Sequence, residues 1–170
     1  MEAILFIAIL FGLSWLYYTV KEKAKRNLLF KNQYETQKAL THGNMLITTT
    51  AAIDDVRASL DRYLAPDDSV RAVFIGGAIK LVSRDETTSV YKHISKITTG
   101  GGGDEFTASV TFLPPADSAQ RAIVSIDCWR EKDGVTRRAG IQAMQKFMSA
   151  VVSAFKEVDP SAYAEFRAAA

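Results

Sequence analysis

Cysteine is almost absent: Cys128 is the only one in 170 residues. That excludes an intrachain disulfide framework and any cysteine-rich metal site. Histidine is nearly as scarce, with His42 and His93 far apart in the chain. Net charge is only +2, so the total carries no electrostatic footprint for nucleic acid, and no nucleic-acid partner is expected. Trp129-Arg130 is one aromatic–basic pair, too little for a stacking surface. No P-loop, dinucleotide fingerprint, zincin motif or EF-hand occurs, and Gly76-Gly77 lacks the lysine and helix start of a phosphate loop. No internal repeat or low-complexity tract appears beyond four consecutive glycines at 100–103. No cofactor is expected.

Charge is also missing from the N-terminus. Residues 3–20 read AILFIAILFGLSWLYYTV. As a helix this run covers about 27 Å, near the ~30 Å hydrocarbon core of a bilayer. Trp15, Tyr17 and Tyr18 cluster at its end, followed by Lys21, Lys23, Lys25 and Arg26. Amphipathic rings and cations favour that interface, so these seven residues are candidate membrane-interface contacts. A cleaved signal peptide would need a basic start and small residues at its end, whereas Glu2 precedes the run and aromatics close it. A buried helix of a soluble protein is rarely apolar all round. The pattern predicts a transmembrane helix over 1–20. By the positive-inside rule the N-terminus lies outside, and the rest is cytoplasmic on an inner or plasma membrane. Residues 21–42 carry six Lys or Arg against two acids, which leaves the remainder net negative. A basic helical stalk over 21–43 suits anionic lipid head groups.

Beyond it, the periodicities describe an α+β domain over 44–158 and a tail over 159–170. MLITTT (45–50) is β-branched and reads as a strand. Ile53, Val56, Leu60, Tyr63 and Leu64 then repeat at helical spacing, with Thr50 a candidate cap and Pro66 a stop. SVRAVFIGGAIKLVSR reads as two strands around Gly76-Gly77, and TTSVYKHISKITT as another. Phe106, Ala108, Val110 and Phe112 alternate with polar residues, as do Ala122, Val124, Ile126 and Cys128. Pro114-Pro115 and Asp133-Gly134 mark turns. A long helix follows, with an apolar stripe from Ile141 to Val158, and Asp159-Pro160 ends it. The predicted order is β-α-β-β-β-β-β-α: an antiparallel sheet of about six strands packed on a long C-terminal helix. SAYAEFRAAA is expected to add a short helical turn.

This order, with the opening ITTTAAIDDVRASLDRYLA and the long last helix, resembles a small helix-grip domain of the START and polyketide-cyclase type. In that family the long helix closes an apolar cavity inside a curved sheet. The resemblance implies an apolar small-molecule ligand, with Met144, Phe147, Met148, Val151 and Phe155 on the helix face toward it. The same stripe read from spacing alone is a core face.

Gly102 to Phe106 spell GGDEF, which resembles the signature of diguanylate cyclases. Those enzymes join two GTP molecules into cyclic di-GMP. Direct matching implies Asp104 and Glu105 as metal and catalytic acids, with Gly102 and Gly103 admitting the nucleotide. The family also supplies an upstream strand Asp and a Phe-Lys…Asn-Asp pattern. The corresponding stretch here, RASLDRYLAPDDSV, has neither. One carboxylate pair seldom suffices for two-metal chemistry. The alternative is a glycine loop joining two antiparallel strands, with both acids solvated.

Elsewhere, Cys128 is expected as a buried thiol on an apolar strand face, and His93 as an exposed polar residue. No complete catalytic constellation emerges, and the chain is expected not to be an enzyme. The leading expectation is a single-pass membrane protein with a cytoplasmic binding or assembly domain, an accessory subunit with a membrane-protein partner. An apolar-ligand carrier or sensor, and a degenerate or active cyclase, are the alternatives.

Overall fold

The computed structural model describes residues 11–21, 30–64, 78–94, 105–116, 119–131 and 134–168. Helix α1 is described over residues 11–21. After it come α2 (Lys31–Thr41), β1 (Gly43–Thr49), α3 (Ile53–Leu64), β2 (Ala78–Arg84), β3 (Thr88–Ile94), β4 (Phe106–Ala116) and β5 (Ala119–Trp129). Helix α4 (Arg138–Val158) and strand β6 (Tyr163–Ala168) close the order. The six strands form one sheet, β2-β3-β4-β5-β1-β6, in which every neighbouring pair is antiparallel.

The α+β class and the antiparallel sheet agree with the sequence pattern. Period-2 alternation puts Met45, Ile47, Ala108, Val110, Phe112, Ala122, Val124 and Ile126 on one face, all buried. Registers join them across strands: Val110 lies opposite Val124, and Val124 opposite Met45. Against this face pack Val56, Leu60 and Leu64 of α3 and Met144, Phe147, Val151 and Phe155 of α4. Each large apolar side chain so buried is worth about 1.5–3 kcal/mol relative to exposure. The other face is hydroxyl-rich: Ser109, Ser125 and Asp127 hydrogen-bond one another, and Thr88 meets Thr111.

Two features depart from expectation. First, the predicted transmembrane helix is corrected. Among the described residues no helix is long and apolar enough to cross a membrane. Second, the order differs: α2 precedes β1, and the segment expected as a helical turn is strand β6. Pairing overrides the helix preference of its alanines, because β1 offers an edge that Tyr163 to Ala168 fill in unbroken register from Thr48 to Gly43. The expected strand before Gly76-Gly77 lies outside the described residues. Pro114 and Pro115 fall within β4, where the register to β5 slips between Leu113 and Ala116.

Two joints position these elements. Gly43 sits where α2, β1 and β6 converge. A Cβ there would lie 2.9 Å from the Ala39 carbonyl oxygen and 3.0 Å from that of Arg167. Asp159, just past α4, is the second. Its carboxylate accepts from the Thr49 hydroxyl (2.8 Å), from the Thr50 N–H (2.8 Å) and hydroxyl (3.0 Å), and from the Ser161 N–H (2.9 Å) and hydroxyl (2.5 Å). Thr50, expected to cap α3, thus serves Asp159 instead. These bonds fasten the end of α4 to the end of β1 and turn the chain into β6.

Candidate functional site

The exposed surface of α1 carries the first candidate site. Trp15 is 73% exposed, and Phe11, Leu13, Leu16, Tyr17, Tyr18 and Val20 are also exposed, so no face of this helix is polar. The Thr19 hydroxyl donates back to the Trp15 carbonyl at 2.9 Å, which satisfies it within the helix. Tyr17 and Tyr18 meet edge-on at 5.9 Å, and the Lys21 ammonium lies 5.9 Å from the Tyr17 ring centroid. That arrangement holds a cation beside two amphipathic rings at one end of an apolar cylinder. Lys23, Lys25 and Arg26 lie outside the described residues.

The apolar stripe of α4 is accounted for by the core. Phe147 touches Tyr91 and Phe106, each at 5.9 Å between centroids, and Phe155 stacks on Phe112 at 6.3 Å. Met144, Phe147, Val151 and Phe155 are fully buried, and Met148 nearly so.

Between α2 and the start of α4 lies a groove of about 500 Å³. Asn32, Gln33, Thr36, Gln142 and Gln145 line it, with Arg138 and Ile141. Carboxamides both donate and accept, and a guanidinium offers five donors, so the lining suits a polar or carboxylate-bearing partner. A part-buried network braces it. The Gln37 side chain donates to Glu131 and accepts from the Thr136 N–H (2.7 Å), while Gln33 donates to the Thr136 carbonyl (2.6 Å). The Trp129 indole N–H also reaches Glu131, at 2.8 Å. Sequence reading missed Gln37. Its signal was the spacing of Gln33, Gln37 and Leu40, one helix face turned inward.

Of the GGDEF residues, Gly102, Gly103 and Asp104 lie outside the described residues. Glu105 is half-buried, and its carbonyl accepts the Arg130 N–H at 3.1 Å. The strands on either side pair antiparallel, His93 opposite Phe106, so the stretch connects a hairpin under either reading. Among the described residues no group of His, Cys, Asp or Glu could hold a metal ion.

Two single-residue expectations are corrected. His93 is buried, not exposed, and stacks on Phe106 at 5.1 Å, because β3 turns Ser89, Tyr91 and His93 toward the helices. Cys128 is exposed, not buried. Ala108 pairs with Ile126 but Thr107 with Cys128, so Asp127 is an extra residue in the ladder. That bulge reverses the alternation and turns Cys128 outward.

Electrostatics mark the joints more than any site. Four hydrogen bonds hold the Asp159 carboxyl well below the usual carboxylate range, led by the Ser161 hydroxyl. Ser59 and Arg62 lower Glu157, and burial pushes the Tyr91 phenol up. Asp61 grips Arg84 through two bonds of 2.6 and 3.0 Å, raising the guanidinium and tying α3 to β2.

No family model matches this chain, and no curated protein does. Among solved structures it is similar to TTHA0849 from Thermus thermophilus, at 12% identity and a TM-score of 0.32, over 67% of this chain and 93% of that one. A likeness at that level carries no argument about function.

Proposed function

We propose that this chain is a membrane-attached binding or assembly module, an accessory subunit whose α+β domain holds a partner near a lipid surface. The exposed apolar surface of α1, with Trp15, Tyr17, Tyr18 and Lys21 at one end, carries the reading. Water is a poor solvent for such a helix, while the headgroup boundary accepts its rings and its cation together. The adjoining basic segment adds attraction to anionic lipid, about 1 kcal/mol per Lys or Arg near the surface. The reading is attachment, and it does not need the segment to cross. The amide-lined groove beside α2 offers the domain a polar recognition surface.

Vesicle flotation tests it. The full chain should float with anionic vesicles, less with neutral ones, and a variant lacking residues 1–21 should stay at the bottom. In a Trp129→Phe background, Trp15 emission should shift to the blue on vesicle addition. Equal flotation with and without residues 1–21, or none for either, would reject the reading.

A further inference from the structure

Among the described residues the sheet ends at two edge strands, β2 and β6, and they differ. Strand β2 is irregular, with a register break between Leu81 and Ser83, and Asp61 of α3 ties down its Arg84. Bulges and unbalanced charge are devices that keep an edge from pairing. Strand β6 has neither. Among the described residues it hydrogen-bonds to β1 alone, in unbroken register, and its outer side presents backbone N–H and C=O groups. Tyr163 is 61% exposed and Phe166 50%. Its two charges cancel: Glu165 and Arg167 share one face, paired at 3.1 Å.

We propose that β6 pairs antiparallel with β6 of a second copy, joining two sheets into one across a two-fold axis at Phe166. The charge pattern selects this partner and this register. An antiparallel pair about a two-fold normal to the sheet keeps each face, so residues of like parity oppose one another. Centring on Phe166 sets each Glu165 opposite the second copy's Arg167, twice over. It also sets Phe166 against its own counterpart on the helix side. Centring one residue earlier would set Glu165 against Glu165, and one later Arg167 against Arg167. Directly opposed unlike charges and aromatic pairs stabilise an antiparallel ladder, while like charges destabilise it. This inference stands apart from lipid attachment.

Cross-linking of the full chain in detergent micelles tests it, in a Cys128→Ser background. Phe166→Cys places a thiol opposite itself, at a cross-strand separation a disulfide can bridge. Tyr163→Cys leaves the two thiols about 20 Å apart. Mild oxidation should give a covalent dimer with the first variant and only background with the second. Sedimentation of the native-cysteine chain supplies the independent arm. Glu165→Arg should raise the dimer dissociation constant by about tenfold or more. Adding Arg167→Glu should restore it, because the opposed signs are then exchanged. A monomer at every concentration, equal cross-linking by both cysteines, or a dimer indifferent to Glu165→Arg would overturn the proposal.

Discussion

Asp127 breaks the alternation of β5, and its insertion decides the chemistry of the next residue. With Cys128 turned to the hydroxyl-rich face, the thiol meets solvent. A thiol-specific reagent should therefore label Cys128 in the native chain at a rate within about tenfold of the unfolded one, whereas a core thiol would be protected by opening free energies of several kcal/mol. Asp159 supplies a second expectation at this scale. Its carboxyl is depressed in the folded state by donors from Ser161, Thr50 and Thr49. The stability it contributes is therefore fully present above the ordinary carboxylate value of about 3.9. That contribution fades as pH falls toward the depressed folded value. Asp159→Asn should lower the urea midpoint at pH 7 more than Asp127→Asn does. It should also flatten the decline of the midpoint between neutral and acid pH. A parallel decline in both variants would remove Asp159 from that account.

Among the elements, α4 was legible because its apolar positions recur at helical spacing over five turns and nothing in the sequence competes with them. Phe147 sits at its centre, between Tyr91 and Phe106. Phe147→Ala should cost about 3–5 kcal/mol in chemical denaturation, with the helix otherwise intact. A loss below about 1 kcal/mol would mean that the stripe is not seated on the sheet. β4 and most of β5 were legible by their alternation. β6 was not, because YAEFRA has no clear period and only the vacant edge of β1 makes it a strand. Of the candidate residues, the rings of α1 were legible from composition. The groove was not, since it joins α2 to α4 across a hundred residues and its lining is amides, which follow no spacing rule.

The molecule as a whole places its chemistry at its margins. The core is mostly apolar, the Asp159 joint is polar and hydrogen-bonded, and among the described residues an apolar helix, an amide-lined groove and a plain sheet edge face outward. The neighbour relation between β1 and β6 has a further consequence for how the chain is made. β1 is translated early and its outer partner late. During synthesis the flank of β1 lacks this partner until the ribosome has delivered Tyr163 to Ala168, directly after the last helix. A nascent chain of this kind is exposed to strand exchange with its neighbours on a polysome until Tyr163 to Ala168 arrive.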